Sequence, residues 1–305
     1  MYTFNTLKKS LQIFSCFLVF ATSSVASPVK ISVLQIIEHP ALDATYQGIL
    51  EELKKLGFED GRTMVLDFQT AQGNAALAAQ IAQKFVSNGT NAIVTLGTKA
   101  SQAAMKATEK TKIPVIFSSV TDPLEAKLVT DLKAPQGNVT GVSNFLGVEP
   151  QFALFKRILP DLKTIGVIYD PGEANSISLN EAMKKTAKKM NLKIVFAVAS
   201  KTSEVLMASQ SLCGKVDALF VNNDNTALGA FSSVVKAAKE CGIPAFVSDV
   251  DMVPQGARAA LGPDQKDIGR QTARIVDRIL KNPKGKMPPV EFPQKTEEVI
   301  NPESR

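Results

Sequence analysis

The chain has 305 residues, more than one hydrophobic core usually holds, so two domains are expected. Its 45% hydrophobic and 21% charged residues are typical of a soluble globular protein. A single histidine, His39, leaves little material for a histidine-rich zinc site or a histidine-dependent catalytic triad. The net charge of +6 is spread over separate segments without interleaved aromatic residues, so nucleic acid is not an expected partner.

The first 26 residues have the pattern of a cleaved secretory signal peptide. Lys8 and Lys9 precede a short apolar stretch over 11–21, and Ser24-Val25-Ala26 forms a small-x-small cleavage site. The apolar stretch is short for a membrane-spanning helix. The mature chain is therefore predicted to begin at Ser27 and to be a soluble periplasmic protein.

After this leader, short apolar strands alternate with amphipathic helices. In the first half, strands are predicted at 31–36, 63–68, 92–96 and 114–118, and helices at 43–56, 74–87 and 98–108. Strands without polar alternation, separated by helices, indicate a parallel sheet that is covered on both faces. The segment 133–144 is rich in Gly, Pro and Asn and is interpreted as the first crossing into a second lobe.

The second half repeats this plan. Strands are predicted at 164–169, 192–197, 217–221, 244–248 and 258–262, helices at 149–158, 175–190, 203–212, 226–240 and 265–280, and an extended tail at 282–305. The prediction is an α/β fold with two similar doubly wound parallel-sheet lobes. Cys213 and Cys241 end two predicted helices in consecutive units, so in an oxidising compartment they either form a disulfide or remain two buried thiols.

Polar loops at the carboxyl ends of the strands are the expected ligand-binding positions, because open parallel sheets bind ligands there. In the first half these loops contain Glu38, Ser118, Ser119 and Thr121, and Thr98 begins a helix. Hydroxyls and free backbone N–H groups at helix starts suit an anionic group such as a carboxylate. The alternative is that Thr98 and Thr121 only cap their helices. His39 is either a binding contact or a surface residue.

In the second half, Glu173, Asn175 and Ser176 lie in a turn that leads into a helix, where all three could contact a polar ligand group. The alternative is that Asn175 or Ser176 caps the helix. Asp224 and Asp249 follow two equivalent strands. Either carboxylate could accept hydrogen bonds from a ligand ammonium, and the alternative for both is local turn capping.

The sequence has none of the common catalytic or phosphate-binding motifs. It contains no Gly-x-Ser-x-Gly elbow, no phosphate loop and no Gly-x-Gly-x-x-Gly after a strand. This favours a binding protein over an exported enzyme, and no catalytic residue, metal or cofactor is assigned.

At these loops the chain resembles the ABC-transporter substrate-binding proteins of the tryptophan/tyrosine-type family, which have the type I periplasmic-binding fold. The resembling segments are LQIIEHPALD at 34–43, AQGN at 71–74, FSSVTDP at 117–123, GNVTGVS at 137–143, GEANS at 172–176 and DNT at 224–226. Two features depart from the family pattern, namely Ser119 where relatives often have alanine and Asn222-Asn223 before Asp224.

The resemblance implies two lobes joined by a three-crossing hinge, with 27–143 and 258–283 in the N-terminal lobe and 144–257 and 284–305 in the C-terminal lobe. It implies a monomeric receptor for an amino acid, often aromatic, with a membrane permease and its ATPase as partners. It also implies that Thr98, Ser119 and Thr121 hold the ligand carboxylate, and that Asp224 or Asp249 holds the ammonium.

One alternative stays open at this stage. An exported receptor could sense a non-amino-acid small molecule and pass the signal to a membrane kinase, and the sequence does not separate sensing from uptake.

Overall fold

The computed structural model describes residues 27–303, so the predicted signal peptide at 1–26 lies outside the described residues. Two separate β-sheets organise this part of the chain, and we call each sheet with the helices that cover it a lobe. Within 27–303, no helix is long and apolar enough to cross a membrane.

The first lobe contains a five-stranded parallel sheet in the order β2-β1-β3-β4-β5. Its strands are β1 (Val29–Gln35), β2 (Met64–Thr70), β3 (Ala92–Leu96), β4 (Val115–Val120) and β5 (Val139–Ser143). Its helices are α1 (Pro40–Lys55), α2 (Ala75–Ser87) and α3 (Thr98–Thr108), with α9 (Gln265–Lys281) returning from the second half. Strands β3, β4 and β5 are buried along their whole length, as expected for a sheet covered on both faces.

The second lobe contains a six-stranded sheet in the order β11-β10-β9-β8-β6-β7, in which only β11 is antiparallel. Its strands are β6 (Thr164–Tyr169), β7 (Lys193–Val198), β8 (Ala218–Val221), β9 (Ala245–Val247), β10 (Ala259–Pro263) and β11 (Thr296–Ile300). Its helices are α4 (Val148–Ile158), α5 (Ala174–Lys189), α6 (Val205–Gln210), α7 (Asn225–Gly229) and α8 (Phe231–Cys241). The two-lobe α/β fold predicted from the sequence is thereby confirmed.

A cluster of phenylalanines holds α4 against the second sheet. The ring of Phe155 stacks on Phe246 at 4.2 Å between centroids and meets the edge of Phe220 at 4.9 Å. All three rings are fully buried. Such rings remove a large apolar area from water, so this cluster supplies much of the core of the second lobe.

The predicted crossing segment 133–144 overlaps the last strand of the first sheet. Residues 139–143, part of the predicted crossing 133–144, form β5 and pair with β4, so the chain leaves the first sheet only after Ser143. Gly141 explains the overlap, because a Cβ there would lie 2.0 Å from the carbonyl oxygen of Phe117. The glycine that resembles a loop signal in the sequence permits close strand contact in the structure.

Two parts of the predicted lobe boundaries also differ from the strand pairing. Residues 258–263 were placed in the first lobe, but β10 pairs with β9 and β11 in the second sheet. The tail from 284 was placed in the second lobe, but the backbone N–H of Glu291 donates to the carbonyl of Gly141 in the first. Because α9 packs on the first lobe, the tail follows that lobe before it reaches β11.

Cys213 and Cys241 form a disulfide with a Cα–Cα distance of 5.3 Å. The bond joins the segment after α6 to the end of α8, two helices that pack against each other. Of the two alternatives left open by the sequence, the structure shows the disulfide.

Candidate functional site

The carboxyl ends of the two sheets enclose a small cavity of about 10 Å³ between the lobes. This volume holds about one water molecule and lies far below the usual range for ligand pockets, so the lobes must move apart to admit a ligand. Most of the lining side chains are polar and buried, and both lobes contribute them: His39, Ala41, Leu42, Ser119, Thr121, Asn144, Asn175, Asn223, Asn225, Leu228, Asp249 and Gln265.

The end of β4 supplies two hydroxyls to the cavity. Ser119 has a φ of +54°, and the pairing of β4 with β5 shifts register between Ser118 and Val120. A non-glycine residue in the left-handed region is strained, and such strain is common where a side chain must be aimed at a ligand. Two residues further on, Thr121 Oγ1 donates to Asn144 Oδ1 at 3.1 Å. The amide of Asn223 in the second lobe reaches the same hydroxyl at 3.5 Å.

His39 lies at the start of α1 and contacts the second lobe. Its Nδ1 accepts from the backbone N–H of Leu42 at 3.5 Å, so it caps the helix. Its Nε2 lies 3.5 Å from Asn225 Oδ1. The cap requires Nδ1 to be the acceptor, which leaves the ring proton on Nε2 to face Asn225. Burial lowers the pKa of His39, which favours this neutral form.

Glu173 does not line the cavity but organises the wall that the second lobe presents to it. Its carboxylate, 1% exposed, accepts hydrogen bonds from the side-chain amide of Asn175 and from the backbone N–H and side-chain amide of Asn225. It also accepts from the backbone N–H and the hydroxyl of Thr226. Five donors on one carboxylate fix the positions of Asn175 and Asn225, two of the asparagines that line the cavity.

Two amide oxygens at the cavity lack a hydrogen-bond partner. Asn175 uses its Nδ2 to donate to Glu173 and to the carbonyl of Asn223, but its Oδ1 is buried without a partner among the described residues. Asn223 Oδ1 is likewise buried and unpartnered within 27–303. Buried polar atoms are normally satisfied, so these two acceptors indicate a ligand with hydrogen-bond donors.

Asp249 is the carboxylate that reaches the cavity. It is 1% exposed, and it accepts from Ser248 Oγ at 2.9 Å through one oxygen and from Gln265 Nε2 through the other. Burial raises the pKa of Asp249, whereas the nearby His39 acts in the opposite direction. A ligand cation would offset the cost of burying this carboxylate.

The structure does not bring Asp224 to the cavity, although it was predicted as an ammonium ligand. Its Oδ1 accepts from the backbone N–H of Ala227 and caps α7, and its Oδ2 accepts from the backbone N–H of Asp170 and from Ser176 Oγ. Burial and the neighbouring Glu173 raise the pKa of Asp224 to about 7. Asp224 is therefore the N-cap of α7, as in the capping alternative, and the hydroxyl of Ser176 binds its other oxygen.

Three predicted residues of the first lobe also lie outside the cavity. Glu38 is exposed, because its side chain points away from the interface where His39 points inward. Thr98 is buried as the first residue of α3 but does not line the cavity. Ser118 is paired with Thr272 on α9, with 2.7 Å between their hydroxyl oxygens. Ser119, Thr121, Asn175 and Asp249 are the predicted residues that do line it.

Several lining residues were not predicted individually. Asn223 lies in the loop after β8, and Asn225 is the first residue of α7. The sequence signals for them were the departure at Asn222-Asn223 and the adjacent motif at 224–226. The sequence predicts Asn144 as the last residue of a crossing segment between the lobes and Gln265 as the first residue of a helix. Nothing in their local sequence distinguishes these two from surface amides.

Two α/β lobes that close on a buried polar cavity define a solute-binding protein of the hinged, two-lobe class. The sequence model of the family "ABC transporter substrate binding protein" matches residues 30–305, so the chain belongs to that family. The resemblance noted in the sequence is thereby confirmed.

Three similar proteins have a named ligand or a solved structure. A tyrosine-binding protein of Clostridioides difficile is 37% identical over 89% of this chain and 78% of its own length. An ABC domain from Streptococcus pneumonia solved in complex with L-Trp is 36% identical over 90% of this chain and 92% of its own, with a TM-score of 0.86. A ligand-free, open substrate-binding protein from Clostridium difficile has the same identity and coverages but a TM-score of 0.67. The lobes described here are therefore arranged more like the L-Trp complex than like the open protein.

Proposed function

We propose that this protein is exported, captures an amino acid with an aromatic side chain between its lobes, and delivers it as a monomer to the membrane permease of an ABC importer. The observation that carries the proposal is the buried carboxylate of Asp249, which faces a cavity where the unpartnered side-chain atoms of the described residues are two amide oxygens. The names of two relatives, one tyrosine-binding and one bound to L-Trp, support the same ligand class.

The polar groups of the cavity suit the two charged ends of an amino acid. Asp249 is suited to the ammonium, because a cation restores the interaction energy that the carboxylate loses on burial. The unpartnered oxygens of Asn175 and Asn223 add further acceptors for N–H groups. The hydroxyl protons of Ser119 and Thr121 point to Gln265 and Asn144 in this arrangement, and each hydroxyl would turn away from that partner to donate to the ligand carboxylate.

The apolar part of the lining is small and comes from both lobes. Ala41 and Leu42 begin α1, and Leu228 lies on α7 in the second lobe. These side chains offer an aromatic ring a surface from which water is excluded. Because the ligand would contact both lobes, its binding energy would favour the closed arrangement over the open one.

Calorimetric titration with the natural amino acids tests the proposal. We expect L-tryptophan, L-tyrosine or L-phenylalanine to bind. A ligand present at 100 times its dissociation constant should raise the free energy of unfolding by about 2.7 kcal/mol. Asp249→Asn should weaken binding by about tenfold or more. The ligand ammonium would then donate to the neutral amide of an asparagine and no longer to a charged carboxylate. Asp161→Asn, at an exposed position of the same lobe, is the control.

A response to sugars or nucleosides with none to any amino acid would refute the ligand class. Equal affinity in the Asp249→Asn and wild-type proteins would refute the role of Asp249 while leaving the ligand class intact.

A further inference from the structure

Gln265 lies where the chain passes from the second sheet to the first lobe. Strand β10 ends at Pro263, and Asp264 caps α9 by accepting from the backbone N–H of Asp267. Gln265 is the first residue of α9, and its side chain is 1% exposed and lines the cavity. A hinge residue therefore also reaches the binding site.

The amide of Gln265 contacts one lobe through its oxygen and the other through its nitrogen. Its Oε1 lies 3.0 Å from Thr45 Oγ1 and 3.0 Å from Ser119 Oγ, both in the first lobe. Its Nε2 donates to Asp249 Oδ1 in the second lobe. The two hydroxyl oxygens are themselves 3.1 Å apart, so one small network joins the lobes at this point.

The chemistry of its partners fixes the orientation of this amide. An ionised carboxylate can only accept hydrogen bonds, so Asp249 requires the NH₂ group of Gln265 on its side. The hydroxyls of Thr45 and Ser119 can donate to the oxygen on the other side. The network thus holds one oxygen of Asp249 in place, and Ser248 holds the other.

The packing of α1 on α9 brings Thr45 within reach of Gln265. A Cβ on Gly269 would lie 2.0 Å from the carbonyl oxygen of Thr45, and a Cβ on Gly48 would lie 2.0 Å from that of Lys266. Two glycines therefore let the helix backbones touch, and the first turn of α9 is held against α1 rather than free to rotate.

We propose that Gln265 is a positioning residue that orients the carboxylate of Asp249 toward the ligand ammonium. Its contacts with the first lobe make that orientation depend on the relative position of the two lobes. This inference rests on the proposed function, in which Asp249 binds the ammonium. Gln265 positions Asp249, and the hydroxyls of the first lobe position Gln265. The ligand contact made by the second lobe therefore depends on how that lobe is placed against the first.

Two substitutions separate positioning from simple packing. Gln265→Met keeps the length of the side chain but removes the N–H that holds Asp249, and we expect about tenfold weaker binding of L-tryptophan at every pH. Gln265→Glu places a second carboxylate against Asp249. Near pH 8 the two negative charges repel, and we expect binding weakened by more than about tenfold.

Acidification should rescue Gln265→Glu but not Gln265→Met. One proton shared between the two carboxylates restores both a hydrogen bond and the single negative charge of the wild-type site. We therefore expect the Gln265→Glu affinity, relative to the wild-type protein at the same pH, to recover as the pH falls from about 8 to about 5. The measurement is calorimetric titration with L-tryptophan across this range, with melting curves to confirm that each variant is folded.

Gln271 provides the matched control on the same helix. Its side chain is fully buried and its amide donates to the carbonyl of Phe292. Gln271→Met and Gln271→Glu should change stability without a pH-dependent recovery of affinity. A wild-type affinity for Gln265→Met, or no recovery for Gln265→Glu, would overturn the positioning role. If the wild-type protein binds no aromatic amino acid, the proposed function fails and this inference fails with it.

Discussion

Lys99 connects the lobes through a buried ion pair, and its removal should favour the open form. Lys99 lies on α3 of the first lobe, with its Nζ 2.7 Å from Asp170 Oδ2 and 3.8 Å from Glu173 Oε1 of the second. Its side chain is 17% exposed, and those of the two acids are 4% and 1% exposed. Opening the cleft must separate this pair.

The size of the effect follows from the contacts that remain after Lys99→Met. At 2.7 Å the attraction amounts to about 6 kcal/mol for an effective dielectric constant of about 20, before desolvation is subtracted. The backbone N–H of Gly172 still donates to Asp170, and the hydroxyl oxygen of Thr226 stays 3.2 Å from Asp170 Oδ2. We therefore expect a net loss of about 2 kcal/mol, the usual value of a hydrogen bond to a charged group. That loss lowers the ratio of closed to open protein by about thirtyfold.

Small-angle scattering and ligand titration measure this shift. The ligand-free Lys99→Met protein should have a larger radius of gyration than the wild-type protein, and its apparent affinity should fall with the closed fraction. Lys106→Met is the control, because Lys106 is 75% exposed on the same helix and pairs with Glu109 of its own lobe. An unchanged radius together with unchanged affinity would refute the reasoning that this pair stabilises closure.

Three further predictions concern stability. Gly269→Ala should lower the melting temperature through a loss of about 1–3 kcal/mol, because the new Cβ would lie 2.0 Å from a carbonyl oxygen of α1, whereas Gly147→Ala, with no atom nearer than 3.8 Å, should not. Equal melting temperatures would contradict the helix contact. Replacing Cys213 and Cys241 by serine should lower the free energy of unfolding by about 3.5 kcal/mol, because the disulfide closes a loop with a sequence separation of 28. Ligand affinity should stay unchanged. An unaltered urea midpoint would contradict the stabilising role of the disulfide. Burial, with repulsion from neighbouring acids, raises the pKa of Asp251 to about 7, so the folded chain keeps a proton that the unfolded chain has lost above about pH 4. Wild-type stability should therefore fall between about pH 4 and pH 7 and level off above, and Asp251→Asn should flatten this slope in urea titrations; parallel slopes would refute the assignment.

The sequence predicted the elements well where hydrophobic periodicity decides them. Strand 92–96 and helix 98–108 have the predicted bounds, because the strand is buried along its whole length and the helix buries one face at helical spacing. The single predicted helix at 226–240 is two helices, α7 and α8, that meet at Ala230. Glycine misled the prediction at β5, where close strand contact and a turn have the same local signature.

The site was only partly predictable, because position after a strand does not determine side-chain direction. Asp224 and Asp249 both follow strands, yet Asp224 caps α7 and Asp249 reaches the cavity. The 3₁₀ turn at Val250–Gln255 makes no cap bond with the Asp249 side chain, which leaves that carboxylate for Ser248 and Gln265. The contact of Gln265 with Thr45 depends on the close packing of α9 on α1 that Gly269 and Gly48 permit, a long-range effect that no local pattern contains.

The five donors on Glu173 have a consequence for the order in which a ligand is captured. All five come from the second lobe itself, so opening the cleft leaves Asn175 and Asn225 in place. The aim of Asp249, in contrast, depends on hydroxyls across the hinge. In the proposed function, an arriving solute therefore meets these preformed asparagines first, and the ammonium site is completed only as the lobes come together. We then expect the rate of binding and the rate of release to depend on different residues.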